Sequence, residues 1–357
     1  MSIFDGSRCE LIGRVRRAGK SDARAIAELF QRTYEDSSHE CKEVEYVRQT
    51  LLGDDHTWIV CEDGDEIVSV TCCRRSGWNH SYETCYSITK RHVRGQGLAK
   101  RLFVTALDVA YRRGDCEIVV GYPRSQTMFQ LTTSGFASPP VAVGYDGGIN
   151  VANGQREYHL ITMARNARAN PIRVAPRIDA FQWLDSVRRP VLASLGFASE
   201  PGEYPLAIVA GSGLGHEATI HGFRFSYLHD PTSPSGAVQV TGLSRQGSFA
   251  TSPEKAFTSF VSKFASMPYI GVQVLVDKRP VIDLLQEIGF TITAYLPAWY
   301  PKGGRRFDCL MLVKSRFSAQ PISHGLESVI DGFRGTFEQR PAPEPLAASV
   351  HRATVAA

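Results

Sequence analysis

The sequence predicts an α/β fold of the mixed-sheet, α+β kind, with a degenerate second copy of the first half in the C-terminal half. Three observations predict it. Strand-length apolar runs alternate with runs of helical period through residues 14–165. A glycine-bearing loop, Arg94-Gly95-Gln96-Gly97-Leu98-Ala99, separates a strand from a long amphipathic helix. The closing phrase of that stretch returns late in the chain. Length agrees, because 357 residues at roughly 100–200 per domain suggest two domains.

Taken in order, residues 13–18 read as a short strand. Ser21 and Asp22 then cap a helix with Ala25, Ile26, Leu29 and Phe30 on one face. A second helix carries Val44, Val47 and Leu51 and stops near Gly53. Residues 57–61 form a strand and 67–73 its return. Between them, Asp63-Gly64 makes the turn, since Asp-Gly takes positive φ at little cost. Residues 82–89 are the next strand. After the glycine loop a helix covers 98–113, with Leu98, Leu102, Phe103, Ala106, Leu107 and Ala110 at helical spacing. Arg112 and Arg113 suit the negative end of its dipole, and Gly114 suits the stop. A strand at 116–121, a short helix at 127–134 leaving through Gly135-Phe136, and strands near 141–145 and 158–163 complete the set. The order β-α-α-β-β-β-α-β-α-β-β contains a hairpin, which makes the sheet mixed rather than doubly wound.

Residues 166–170 are polar and predict a linker. The following helix, with Ile178, Phe181, Trp183, Leu184, Val187, Val191 and Leu195, is expected to dock between the halves. We therefore expect a first domain at 14–165, linker and docking helix at 166–199, a second domain at 200–318, and a mobile Pro- and Ala-rich tail at 339–357. The repeat rests on one phrase. Residues 116–121, then Ser134-Gly135-Phe136 and 154–160, are echoed by 271–276, then Ile288-Gly289-Phe290 and 303–310.

The charge of +4 is spread along the chain, which fits an anionic small ligand and argues against nucleic acid. None of the eight cysteines forms a C-x-x-C pair, so zinc spacing is missing and no metal is expected. Most of them sit in apolar strand-like runs, a pattern that suits a reduced, cytoplasmic setting. No run approaches the roughly 18 apolar residues of a membrane span, so no membrane partner is expected. Oligomeric state is left open.

Chemistry concentrates at the glycine loop. A helix start leaves N–H groups without acceptors and carries the positive end of a dipole. Gly95 and Gly97 let backbone approach an oxygen, and Arg94, Lys100 and Arg101 add positive charge. The stretch 14–165 resembles the GNAT superfamily of N-acetyltransferases, whose pyrophosphate loop reads Arg/Gln-x-x-Gly-x-Gly/Ala at this point of the fold. The resemblance implies acetyl-CoA or another acyl-CoA as co-substrate, held by backbone of Val93, Arg94, Gly95, Gln96, Gly97, Leu98 and Ala99. It implies that Ile88 and Thr89 pair with the pantetheine arm. It also implies a general base on the preceding strand, where Glu83 is the candidate and Tyr82 and Tyr86 stand in if the register slips by one. The expected acceptor is a small-molecule amine.

One position departs from the family. Many members carry a tyrosine, four residues before the Gly of the Gly-Phe, that protonates the departing thiolate. Leu131 stands there, with Tyr122, Ser125, Thr132, Ser134 or water as substitutes. This leaves two other readings open, an acyl-CoA sensor without turnover and an acyltransferase fed by an acyl carrier protein. The intact cationic loop argues against the second. In the C-terminal half only Gly247 remains of the loop, and no cofactor is expected there.

Four other features are weighed as decoys. Gly211-Ser-Gly213-Leu-Gly215-His216 imitates a dinucleotide fingerprint but lacks the last glycine, so a glycine-rich hairpin is expected. His216, His221 and His229 are read as strand-face or loop residues. The aromatic cluster at 295–300 is read as a core or inter-domain contact. Arg305-Arg306 with Asp308 is either an anion site or an ordinary ion pair.

Overall fold

The computed structural model describes residues 13–35, 39–133, 139–152, 154–176, 184–229, 236–247, 251–316 and 321–338, with backbone alone at 131–133. The expected tail, the expected helix positions Ile178, Phe181 and Trp183, and Ser134-Gly135-Phe136 lie outside the described residues.

β1 (Arg14–Arg17) leads to α1 (Ala23–Thr33) and α2 (Val44–Leu52). β2 (His56–Asp63), β3 (Glu66–Ser76) and β4 (Ser81–Thr89) form an antiparallel meander. α3 (Leu98–Arg112) crosses to β5 (Ile118–Gly121), which is parallel to β4. Then come α4 (Gln126–Thr133), β6 (Val141–Tyr145), a small hairpin of β7 (Asn150–Ala152) and β8 (Gln155–Glu157), and β9 (Leu160–Arg165). The expected order holds, and the β7–β8 hairpin is an addition to it.

β10 (Ile172–Ala175), α5 (Asp185–Leu195) and β11 (Ala198–Pro201) connect the halves. The second half has β12 (His216–Ile220), β13 (Phe223–His229), β14 (Ala237–Arg245), α6 (Pro253–Lys263), β15 (Tyr269–Leu275), α7 (Arg279–Glu287), β16 (Thr291–Lys302) and β17 (Arg305–Ser315). α8 (Glu327–Glu338) follows.

One sheet of fifteen strands runs through both halves in the order β1-β2-β3-β4-β5-β9-β6-β16-β17-β15-β14-β13-β12, with β10 and β11 added beside β17. The run β2-β3-β4-β5-β9-β6 of the first half has the same order and senses as β12-β13-β14-β15-β17-β16 of the second. In each, one helix crosses over the parallel pair and another precedes the last hairpin. The two runs meet tail to tail, at Gly144 of β6 opposite Ala294 of β16. A Cβ on Gly144 would lie 2.2 Å from the Thr293 carbonyl oxygen, so only glycine allows this approach.

The seam also carries charge. Arg306, 1% exposed, donates from Nε to Glu117 at 2.6 Å and from Nη1 to the carbonyls of Ala298 and Trp299, and its Nη2 reaches the Asn79 carbonyl. Asp308 is buried against Arg173, Tyr295 and the Ala298 N–H. Both arginine–carboxylate sets are therefore internal ion pairs. Trp299 meets Trp78 edge-on across the seam, at 5.9 Å between ring centroids.

Cys72 and Cys73 pack into separate clusters on opposite faces of β3, as alternation requires. One local expectation is corrected. Asp22 does not cap α1, because its carboxylate is taken by Arg16 and by the Gly19 N–H. The connecting segment that starts at residue 166 is anchored to the first half. Asn166 is 2% exposed and donates to the Cys116 carbonyl at 2.7 Å, and the chain then enters β10. Among the described residues no helix is long and apolar enough to cross a membrane, and no cluster of His, Cys, Asp and Glu could hold a metal.

Candidate active site

The 94–99 loop is pinned at both ends and open between them. Val93 and Leu98 are buried in the core beneath α3, whereas Arg94, Gly95, Gln96 and Gly97 are exposed. Gly95 and Gly97 have φ of +82° and +75°, and a Cβ on either would meet nothing within 4 Å. The glycines therefore serve the backbone turn and leave free space before it. Gly97 starts α3 without a side-chain cap, so the first N–H groups of the helix point outward unpaired by any cap. Arg94 lies over the loop with its Nε on the Thr89 carbonyl at 3.0 Å. Ala99 and Lys100 are half-buried in the first turn. Arg101 is turned away, donating to the Gly13 carbonyl. Such a start can hold an anion.

Beside it the sheet opens. β4 pairs with β5 only from Ser81 to Thr84. Beyond Thr84 the residues of β4 remain bonded to β3, and among the described residues no backbone bond joins them to the β5 side. A bulge at Tyr86 and Ser87, opposite Thr71, marks the divergence, and Tyr86 takes φ +52°. Ile88 is buried and its carbonyl accepts from Ser69 Oγ. Thr89 Oγ1 lies 2.7 Å from the same hydroxyl. This leaves a free strand edge next to an open helix N-terminus.

Residues 23–129 match the acetyltransferase (GNAT) family. Residues 23–129 form a GNAT acetyltransferase domain. Among solved structures, the ribosomal-protein-S5-alanine acetyltransferase of Vibrio fischeri is similar at 19% identity and TM-score 0.37, over 43% of this chain and 92% of that one. A putative acetyltransferase of Salmonella typhimurium, solved with its cofactor acetyl-CoA, is similar at 16% and 0.37, over 46% and 98%. An Escherichia coli GNAT family N-acetyltransferase in complex with CoA is similar at 18% and 0.34, over 46% and 86%. No curated protein sequence matches the chain.

Within the GNAT domain the three strand candidates separate. Tyr82 is 1% exposed under α3, and its hydroxyl is spent on Asp115 at 3.0 Å. Glu83 is half-buried and pairs with Arg74 across β3. Tyr86 stacks on Trp58 and donates to Glu40 Oε1 at 2.7 Å, with the Tyr46 hydroxyl 3.0 Å away. Burial, then its bonds to Tyr46 and Glu40, push the Tyr86 phenol far up. Tyr122 follows the end of β5. Burial and then the Glu83 charge push its phenol up in the same way.

The sequence reading missed the wall facing β4. Tyr34 stacks on His39 at 5.0 Å, and His39 meets Tyr86 edge-on at 5.7 Å. His39 Nδ1 accepts the Cys41 N–H, which leaves its proton on Nε2, and burial lowers its pKa. The Arg124 guanidinium lies 5.8 Å over the Tyr34 ring. Behind it Glu157, 6% exposed, takes His159 and His324 at 3.5 and 2.7 Å and Arg124 at 4.0 Å. His324 comes from the segment before α8, which straps back onto the GNAT domain. Ile322 exchanges backbone bonds with Tyr158 and Arg156, and the His324 carbonyl accepts the Gln126 N–H that opens α4. Tyr34, His39 and Arg124 lie on separate segments, and His39 precedes the short 3₁₀ turn Glu40–Lys42 between α1 and α2. Leu131 falls within α4.

Proposed function

We propose that the chain is an acyl-CoA-dependent N-acyltransferase, in the simplest case an N-acetyltransferase, acting on an amine by direct attack in a ternary complex. The supporting observation is the free edge of β4 beside an uncapped helix N-terminus. Backbone of Val93 to Ala99 would hold the pyrophosphate, and Ile88 and Thr89 would pair with the pantetheine arm as an added strand. Bound there, an acyl-CoA supplies the acyl group activated as a thioester. An N–H at the bulged end of β4 can polarise the carbonyl. The new bond is C–N and the broken one C–S. Glu83 takes the proton the amine sheds, and Tyr122 gives one to the departing sulfur. Leu131 has no proton to give, so this role moves to the end of β5.

We further propose the domain limits 14–165 and 200–318, the second a degenerate copy of the first, joined through 166–199. The matching strand orders support this. No cofactor is assigned to the second copy, and a small amine acceptor enters from the Tyr34–His39–Tyr86 side.

The test is release of free thiol from acetyl-CoA over a panel of amines, run beside Gly97→Glu, whose carboxylate would meet the pyrophosphate. We expect release that depends on one amine class and vanishes in the variant. Tight binding with no release across the panel would leave a sensor, and no binding at all would remove the loop assignment.

A further inference from the structure

The second half contains an opening like that between β4 and β5, but it is filled. β14 pairs with β15 only from Ala237 to Val240, and a bulge falls at Thr241. Into the gap beyond runs the segment 208–214. On one side it bonds β15, with Ala210 N–H to the Gln273 carbonyl at 2.8 Å and Leu275 N–H to the Ile208 carbonyl at 3.0 Å. On the other it bonds β14, with Gly213 N–H to the Thr241 carbonyl at 2.8 Å and Thr241 Oγ1 to the Leu214 carbonyl at 2.6 Å. Val209 and Ala210 are buried there. Gly211 passes so close that a Cβ would lie 2.3 Å from the Thr241 carbonyl oxygen. In place of the expected glycine-rich hairpin, an extended segment bridges β15 at Val209–Val274, and Gly211 and Gly215 serve its close passage.

We infer that residues 208–214 are the standing occupant of a second groove of the acyl-CoA kind, so that each chain takes one acyl-CoA and not two. The inference rests on the reading of the first groove given above. The segment satisfies with its own backbone both strand edges that a pantetheine arm would otherwise bond. The helix start next to it is closed too. Ser252 Oγ caps α6 at the Lys255 N–H, and the Thr251 and Gln246 N–H groups go to the turn carbonyls of His221 and Gly222. The donors at Gly213, Gln246, Thr251 and Lys255 are thus spent within the chain, not held open for an arm and its pyrophosphate. The second copy has exchanged a ligand for a piece of chain.

Isothermal titration of the full chain with coenzyme A should give one equivalent, and Gly97→Glu should give none. Gly211→Val should drive the segment out of the gap, lowering Tm by about 5 °C or more. It should also speed hydrogen exchange at the amides of Ala210, Gly213 and Leu275 at least tenfold, with α3 amides unchanged. Thr241→Val, which removes only the bond to Leu214, is the milder variant should Gly211→Val not fold, and it should speed the Gly213 amide. Two equivalents, binding that survives Gly97→Glu, or unchanged exchange in both variants would overturn the inference. If the wild type binds no coenzyme A, the first groove has been misread, and the exchange data still decide whether the segment is a seated strand.

Discussion

α3 and α6 occupy the same place in two runs of the same strand order, and they begin in opposite ways. α3 starts on Gly97, left-handed at φ +75°, with no side-chain cap and open space around it. α6 starts on Ser252 in an extended conformation, with Oγ on the Lys255 N–H at 3.3 Å. A helix start that supports the fold satisfies its own donors. One that receives a ligand keeps them unspent and gives up the roughly 1 kcal/mol a cap would contribute. The difference lies in hydrogen-bond satisfaction, since the topology is shared.

The comparison can be broken at its seam, where the largest effect is expected. Arg306→Ala leaves three carbonyls and Glu117 without their donor in a buried place. It should cost about 3–5 kcal/mol in urea unfolding. A loss under about 1 kcal/mol would mean the halves hold together without it. Next in size is the strap. His159 first, and then His324, hold the Glu157 carboxyl at about 2. A lowered folded pKa means stability that is complete above the ordinary carboxylate range and fades as pH falls toward about 2. Glu157→Gln should therefore lose on the order of 2 kcal/mol at pH 7. Its stability should also fall less steeply with acid between about pH 4 and 2 than that of the wild type. A variant whose acid limb parallels the wild type would show that Glu157 is not the titrating group. The smallest effect is the sharpest one. Gly95→Ala and Gly247→Ala carry the same left-handed strain, at φ +82° and +73° with open space at both. Each should cost about 1 kcal/mol. Only Gly95→Ala should weaken coenzyme A, by tenfold or more in calorimetry. Equal affinities would place the pyrophosphate elsewhere.

The first half was legible because its signals are local. Period and turn residues set the order of β1 to β6 and β9 to within a few residues, though not the β7–β8 hairpin, and the 94–99 loop stood out by its place between strand and helix together with the family resemblance. What the sequence hid depends on distant partners. Asp22 is a good cap by type, but Arg16 outbids the helix for it. Gly211, Gly213 and Gly215 resemble turn residues. Two of them are needed because Thr241 and Tyr227 backbone lies 2.3 Å from where a Cβ would be. Glu157 and His324 are far apart in the chain and meet only through the strap, so no spacing rule could pair them. For the same reason Tyr34, His39 and Arg124 went unnoticed while Glu83 and Tyr86, on one strand, did not.

The join at Gly144 has a consequence for the newborn chain. β6 is complete when residue 145 leaves the ribosome, but β16, which covers its outer edge, begins only at residue 291. At about 5–20 residues per second the first half waits on the order of ten seconds with a bare strand edge. A bare edge is a template for any other strand nearby, including one from a neighbouring nascent chain on the same message. The second half therefore covers that edge late, and slowing translation between these two strands should lengthen the interval in which the first half can aggregate.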